Sequence, residues 1–173
     1  MSVDTSVTAA WDVVRNAVYT QVVPGAVALV RWQGKVILHE NAGWAAIETE
    51  RRPMRADTIF DLASLTKPLV TAPLVLQLAD CGAISLDEPA CRYLPAMARF
   101  AGGQVTVRQL LTHTSGLPAW SPLYVWARTS ADALCTIAEM DPAYAPDSRV
   151  VYSCLGYIVL GLLLEEVTGQ IPR

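Results

Sequence analysis

The sequence has little charge and very little histidine. Charged residues make up 17% of the 173 residues, hydrophobic residues make up 53%, and the net charge is -3. No basic run is present, so the chain lacks the electrostatic footprint of a nucleic-acid-binding protein. The two histidines, His39 and His113, are far apart in the sequence, which argues against a histidine-rich metal site. The composition predicts a globular domain with a substantial core, and we expect no metal, no cofactor and no nucleic-acid partner.

Long apolar segments are also absent. The longest apolar run, from Tyr157 to Leu164, is interrupted by Gly161 and is far shorter than the roughly 18 to 20 residues that cross a bilayer. Near the N-terminus, Asp4 and Asp12 stand where a secretory signal would require basic and then apolar residues. We therefore expect a soluble cytoplasmic protein with no membrane partner.

The cysteines are too sparse for a structural framework. Their spacing contains no CxxC pair and does not fit a dense disulfide pattern. The four residues are Cys81, Cys91, Cys135 and Cys154. We expect free thiols that are mostly buried as small apolar side chains.

The first third of the chain predicts a helix followed by a hairpin. Apolar residues at helical spacing indicate a helix from Thr8 to Tyr19. Two β-rich runs, GAVALVRW and KVILHE, are separated by Gln33 and Gly34, which is the pattern of two antiparallel strands joined by a tight turn. The segment NAGWAAI extends the second strand.

From Asp61 onward the pattern is helical. The apolar segment from Ser64 to Cys81 predicts a helix that ends at Gly82 and is kinked or broken at Pro73, which lacks a backbone N–H. Three later helices follow, two of them marked by a capping residue. We expect them to run from a Thr106 cap to near Gly116, from a Ser130 cap to about Met140, and from Leu155 to Val167 with Gly169 after the end.

Ser64 and Lys67 form the strongest local signal for chemistry. Residues three apart share a helix face, so the Lys67 ammonium can reach the Ser64 hydroxyl. A serine hydroxyl is a weak nucleophile until a neighbouring base takes its proton. Lysine can be that base only if its pKa falls well below about 10.4, and we expect burial and the helix dipole to lower the pKa of Lys67. An isolated S-x-x-K occurs by chance in many helices, so the surrounding sequence decides whether this motif indicates a catalytic site.

Five stretches in order resemble the serine β-lactamase and penicillin-binding-protein superfamily. They are PGAVALVRWQGKVI, FDLASLTKP, GAISLDEPACRYLP, VTVRQLLTHTSGLP and VYSCLGYIVLGLLLEEVTGQ. The resemblance extends from Pro24 to Gln170 and is closest to class C β-lactamases and family VIII carboxylesterases. It implies an α+β fold of the β-lactamase/transpeptidase type, with an antiparallel sheet flanked by helices and an all-helical subdomain. By it, residues 1–60 hold the N-terminal helix and first strands, and residues 61–173 hold the nucleophile helix and part of the helical subdomain.

The resemblance implies roles for four residues. Ser64 is the nucleophile, Lys67 is its base partner, and Tyr152 matches the tyrosine of the family's Tyr-x-Asn motif, where a partly ionised phenol carries the proton to the leaving group. Cys154 stands in place of the asparagine, and a thiol is a weaker donor and acceptor than an amide. We expect Cys154 to contact substrate and to disfavour amide-bearing substrates; a neutral variant packed against the helix fits the sequence equally well.

His113 and Ser115, in the stretch LLTHTSGLP, could suggest a catalytic triad. The resemblance instead implies a structural helix and turn for this segment. We therefore expect His113 at a helix end that faces carbonyl groups, and Ser115 in a turn.

A third motif of the resembling enzymes, Lys/His-x-Gly on a strand far toward the C-terminus, has no counterpart after Gln170. We therefore expect the C-terminal half of the fold to be absent, which makes the chain an N-terminal fragment with weak or no activity by itself, since loss of one oxyanion donor alone costs about 10²- to 10³-fold in rate.

The function that we expect is a serine hydrolase acting through an acyl-enzyme on Ser64, namely a carboxylesterase for small-molecule esters with side activity on β-lactams. The alternatives are a D-aminopeptidase or transpeptidase acting on amides, a non-catalytic penicillin-binding-like sensor, and one chain of a split assembly. In the last case, a complementing chain or a second copy would dock on the edge of the unfinished sheet.

Overall fold

The computed structural model describes residues 3–48 and 50–170. The chain divides into two compact units, Met1–Asp61 and Leu62–Arg173. The first unit holds the predicted hairpin, and the second holds the Ser64–Lys67 segment and all the later helices.

The first unit is a helix packed on a small antiparallel sheet. Helix α1 (Val3–Tyr19) contacts both long strands, β1 (Gly25–Trp32) and β2 (Lys35–Ala46), and the two-residue strand β3 (Arg52–Pro53) completes the order β1-β2-β3. Within the described residues, β1 pairs with a strand on one side only. The sheet therefore presents one edge whose backbone groups have no strand partner there.

The turn between β1 and β2 confirms the predicted hairpin. Gln33 and Gly34 both have positive φ, at 47° and 80°, which is the two-residue turn whose twist matches that of antiparallel strands. Further along β2, Gly43 also has positive φ, at 79°, and a Cβ there would collide with the Pro24 carbonyl oxygen and the Val18 side chain. Glycine at this position lets α1 approach the sheet closely.

The Ser64 segment is helical and is broken next to Pro73, which is one of the two expected outcomes. Ala63–Leu65 is a 3₁₀ turn, Lys67–Thr71 is a π-helical turn, and α2 proper runs over Ala72–Asp80. The physical reason is Pro73, which has no N–H to donate to the preceding turn. The chain takes a wider turn instead, in which the Ala72 N–H donates to the Lys67 carbonyl. Such π turns are frequent at functional sites.

The remaining helices form the helical part of the second unit. They are α3 (Val107–Leu111), α4 (Leu123–Trp126), α5 (Ser130–Ala138) and α6 (Cys154–Thr168), with 3₁₀ turns at Ala90–Arg92 and Pro95–Gly103. The Thr106 cap is confirmed, with Gln109 closing a capping box, and so is Gly169, which ends α6 at a φ of 66°. The predicted Ser130 cap is wrong by one residue, because the Thr129 side chain accepts the hydrogen bond from the Asp132 N–H.

Helix α6 lies at the centre of the core of this unit. Its sequence is apolar from Cys154 to Leu164, without a charged residue, which is typical of a buried helix. Six of its residues are buried: Leu155, Gly156, Val159, Leu160, Leu163 and Leu164. Within the described part of the chain, no helix combines the length and the apolar character needed to cross a membrane.

All four cysteines are free, as expected, but the prediction that they are mostly buried is wrong. Cys81 and Cys135 are exposed, and Cys91 and Cys154 are partly buried. Cys81 follows the last residue of α2, where its thiol donates to the Leu78 carbonyl, and Cys135 lies on an exposed part of α5.

Truncation of Leu160, which is fully buried, should destabilise the chain far more than truncation of its neighbour Ile158, which is 38% exposed. Leu160→Ala removes core contacts and leaves a cavity, so we expect a loss of about 2 to 5 kcal/mol in the free energy of unfolding. Ile158→Ala on the same helix is the matched control, with a loss below about 1 kcal/mol. Urea unfolding followed by circular dichroism measures both, and equal losses would contradict a core centred on α6.

Candidate active site

Ser64 lies in a short turn whose entry is conformationally strained. The residue before it, Ala63, has a φ of 45°, which a residue with a Cβ rarely adopts. Ser64 itself is exposed, at the second position of the 3₁₀ turn. Strained backbone of this kind persists only where the surrounding structure holds it, and it is frequent at active sites.

Lys67 contacts Ser64 as its spacing predicts. The Lys67 Nζ donates to the Ser64 Oγ at 3.3 Å, and the Cys154 Sγ lies 3.7 Å from the same Nζ. The π turn begins at Lys67, so the residue that reaches the serine also begins the irregular part of the helix. Ser64, Lys67 and Cys154 therefore form one polar cluster, although Cys154 comes from the start of α6.

Tyr152 completes this cluster. Hydrogen bonds of its phenol oxygen with Ser64 and then with Lys67, followed by the Lys67 charge, lower the pKa of Tyr152 below the usual value of about 10 for tyrosine. The Lys67 Nζ also lies 5.1 Å from the centroid of the Tyr152 ring. A hydrogen bond to the ionised form favours ionisation, so the phenolate is the form that these contacts stabilise.

The expectation of a lowered pKa for Lys67 is wrong. Partial burial alone would lower the pKa of Lys67, but the hydrogen bond to Tyr152 and the electrostatic interactions with Cys154 and Tyr152 together outweigh burial and raise it. Lys67 is therefore an ammonium ion at neutral pH. The pKa of the Tyr152 phenol, by contrast, is lowered from 10 in the direction of neutral pH.

Ser153 fixes the loop that carries Tyr152. Its Oγ donates to the Pro118 carbonyl at 2.7 Å and accepts from the Gly156 N–H at 3.2 Å, so Ser153 caps α6 and ties it to the 117–120 segment. The next N–H, that of Cys154, donates to the Ala119 carbonyl at 2.8 Å. These bonds set the position of Tyr152 on one side and Cys154 on the other.

His113 has contacts that sequence reasoning did not predict. It lies just past the end of α3, as expected, and its ring Nδ1 accepts from the Ser153 N–H at 3.1 Å. Burial first, and the Lys67 charge second, lower the pKa of His113. Ser115 is a buried turn residue, as expected, and its Oγ accepts from the Leu117 N–H.

Tyr157 is the residue of the site that the sequence reasoning missed. It lies on α6, its hydroxyl donates to the Leu111 carbonyl at 3.1 Å, and its ring centroid is 5.7 Å from the Lys67 Nζ. Burial raises the pKa of Tyr157, so this phenol stays neutral. The spacing could have predicted this, because Tyr157 follows Cys154 by three residues and residues three apart on a helix are neighbours.

A cleft of about 530 Å³ opens beside the cluster. Apolar side chains and the polar cluster share its walls. The lining residues are Leu62, Ala63, Ser64, Leu65, Lys67, Pro68, Leu111, His113, Tyr152 and Tyr157. Apolar walls around a few convergent polar groups are typical of a small-molecule site.

Comparison with known proteins places these residues in a family. The Beta-lactamase family model matches residues 10–172. Esterase EstB of Burkholderia gladioli is 39% identical over 165 residues, which cover 84% of this chain and 41% of the esterase. Two solved structures each match 96% of this chain with a TM-score of 0.79: EstCE1, a hydrolase with promiscuous acyltransferase activity, at 29% identity, and a class C beta-lactamase at 26% identity.

The chain spans 41% of the curated esterase, 48% of EstCE1 and 46% of the class C beta-lactamase. The structural matches confirm the predicted α+β fold of the β-lactamase/transpeptidase type. On the strength of the family match over nearly its whole length, the chain belongs to the Beta-lactamase family, whose members include serine hydrolases.

Proposed function

We propose that the chain carries the nucleophile half of a carboxylesterase-type serine hydrolase, which forms an acyl-enzyme on Ser64. The observation that carries the proposal is the contact of Ser64 with both Lys67 and Tyr152, in which the pKa of the phenol is lowered and the pKa of the ammonium is raised. A base and a fixed cation beside a serine hydroxyl are the groups that acyl transfer needs. Family membership supports the same reaction class.

In the proposed first step, the Tyr152 phenolate takes the proton of the Ser64 hydroxyl while Oγ attacks the carbonyl carbon of the ester. The carbonyl electrons move to oxygen, and a tetrahedral oxyanion forms. On collapse, the bond to the leaving alkoxide breaks and Tyr152 returns the proton to it, so that an alcohol departs. Water then attacks the acyl-enzyme along the same proton path and releases the carboxylic acid. Lys67 stays an ammonium and stabilises the phenolate throughout.

The walls of the cleft favour an ester of an apolar acid. Leu62, Leu65 and Leu111 line the space beside Ser64. Cys154, where the resembling enzymes have asparagine, offers a substrate amide only a weak donor and a weak acceptor. β-Lactam hydrolysis then becomes a side activity, and the D-aminopeptidase or transpeptidase alternative is disfavoured.

The proposal extends to a partner chain and to a cellular compartment. The edge of β1 that has no strand partner within the described residues supports docking of a complementing strand, from another chain or from a second copy. The cytoplasmic location stays a prediction from the sequence. A non-catalytic sensor is the alternative that differs in class, and it would hold a stable adduct without turnover.

Incubation with a fluorophosphonate probe tests the nucleophile. Ser64 Oγ displaces fluoride from phosphorus, so intact-mass spectrometry should record one adduct per chain, and Ser64→Ala should record none. Ser130→Ala, which changes an exposed serine of α5, is the matched control and should label like the wild type. An unlabelled wild-type chain, or an adduct that survives in Ser64→Ala, would overturn the proposal.

The rate of this labelling should depend on pH through Tyr152. Because its pKa is lowered, the rate should rise with pH through an inflection below 10, as the phenol becomes the phenolate base. Because the pKa of Lys67 is raised, the midpoint for loss of the cation lies above its ordinary value of 10.5. Tyr152→Phe should remove the inflection and slow labelling by about 10²- to 10⁴-fold. A Tyr152→Phe variant with an unchanged profile would assign the base role elsewhere.

Cys154→Asn should alter substrate preference. The amide side chain supplies a strong donor and acceptor, so turnover of amide-bearing substrates should rise relative to that of simple p-nitrophenyl esters. The measurement is the ratio of the two kcat/KM values in wild type and variant. Cys135→Asn, at an exposed position outside the site, is the control. Equal ratios in wild type and Cys154→Asn would mean that Cys154 does not select substrate.

A further inference from the structure

His113 contacts the Tyr152 segment at three points. Its backbone carbonyl accepts a hydrogen bond from the Val151 N–H at 2.9 Å, and its ring Nδ1 accepts one from the Ser153 N–H at 3.1 Å. Its ring centroid lies 4.8 Å from that of Tyr152, with the two rings tilted by 42°. One residue thus contacts the tyrosine ring and both of its chain neighbours.

The bond to Ser153 fixes the protonation of the imidazole. A backbone N–H can only donate, so Nδ1 must carry its lone pair, and the proton of the neutral ring is on Nε2. Ser153 is 1% exposed, so its N–H is shielded from solvent that could replace the acceptor. Partial burial and the nearby Lys67 charge act in the same direction, because they lower the pKa of His113 and keep the ring neutral.

The backbone of His113 is itself in an unusual conformation. Its φ is 61°, in the left-handed region, which asparagine, aspartate and histidine tolerate better than most other residues with a Cβ. In this conformation the carbonyl and the side chain both reach the segment 151–153. Strain that a fold retains beside a reactive group suggests a task for the residue that bears it.

A second aromatic ring contacts His113. The Tyr157 ring centroid is 5.1 Å from that of His113, and the Tyr157 hydroxyl is bonded to the Leu111 carbonyl. The imidazole therefore packs against a tyrosine that is anchored to α3, and against Tyr152, whose side chain is half exposed. The stack connects the exposed phenol to the core of the unit.

We propose that His113 is a positioning residue that holds the Tyr152 phenol in reach of Ser64. The inference rests on the proposed function, since it assumes that Tyr152 moves the proton of Ser64. A proton-transfer group must stay within about 2.6 to 3.2 Å of its partner, and an exposed tyrosine gains that precision only from packing and from hydrogen bonds of the backbone around it. His113 supplies both.

The charge of His113 is part of this role. The titratable groups that face it are Lys67 from the π turn, Tyr152 from the loop and Tyr157 from α6. Protonation of Nδ1 would break the bond from Ser153 and would place a second cation near Lys67. The rate of Ser64 labelling should therefore fall at acidic pH as His113 becomes protonated.

Two substitutions separate the parts of the contact. His113→Asn keeps an acceptor oxygen close to the position of Nδ1 and tolerates the left-handed backbone, but it removes the ring. His113→Phe keeps a ring and removes the acceptor. We expect fluorophosphonate labelling of Ser64 to slow by about 10- to 100-fold in His113→Phe, and to recover in part in His113→Asn. His39→Asn, on strand β2, is the control and should label like the wild type.

The decisive comparison is made in a Tyr152→Phe background. If His113 acts through Tyr152, then His113→Phe should slow labelling no further once the phenol is gone, and the acid-side loss should vanish with it. An equal slowing in both backgrounds, or a wild-type rate in His113→Phe, would overturn the inference. A wild-type chain that does not label at Ser64 would instead contradict the proposed function.

A measurement that needs no reaction at Ser64 distinguishes failure of the His113 inference from failure of the proposed function. In a chain with ¹³Cζ-labelled tyrosine, the signal assigned through Tyr152→Phe should titrate below pH 10 in the wild type. In His113→Phe, the apparent pKa of Tyr152 should move up toward 10 as the phenol leaves Ser64 and Lys67, and His113→Asn should show a smaller move. An unchanged Tyr152 titration in His113→Phe, with the fold intact by circular dichroism, would show that His113 does not position the phenol.

Discussion

The contact between the Lys67 ammonium and the Tyr152 phenol oxygen is the interaction on which the site depends. It has two consequences of opposite sign, since it raises the pKa of the lysine and contributes to the lowered pKa of the tyrosine. A charge-assisted hydrogen bond of this kind stabilises the charged form of both partners. The serine at 3.3 Å from the same ammonium is therefore next to a cation that keeps its proton and a phenol that can give its proton up.

Much of the second unit serves to hold that contact. The π turn imposed by Pro73 begins at Lys67, and the strained Ala63 precedes Ser64, so the Ser64 segment is irregular on both sides. On the other side of the site, Ser153 caps α6 and thereby fixes the residue that precedes it. Six residues of α6 are buried in the core of the unit, so the Tyr152 segment is attached to the core through this helix. His113 adds a second attachment through its bond with Ser153.

The features that could be predicted from the sequence are those set by neighbours in the chain. Gln33 and Gly34 determine their own turn, Thr106 and Gly169 mark helix ends, and the spacing of Ser64 and Lys67 places them together. The features that could not be predicted depend on distant residues. The pKa of Lys67 is set by Tyr152 and Cys154, and the orientation of His113 is set by Ser153. The break next to Pro73 was expected, although its form, a π turn, was not, and α5 is capped by Thr129 in place of the predicted Ser130.

The charge state of Lys67 decides which group is the base, because a neutral lysine would itself be the base and would leave Tyr152 no task. Lys35 and Lys67 are the two lysines of the chain, so ¹³Cε NMR of lysine-labelled protein gives two signals that Lys35→Arg assigns. We expect the Lys67 signal to titrate with a midpoint above 10.5, and Tyr152→Phe to lower that apparent pKa. A Lys67 signal that titrates between pH 6 and pH 9, unaffected by Tyr152→Phe, would contradict the account.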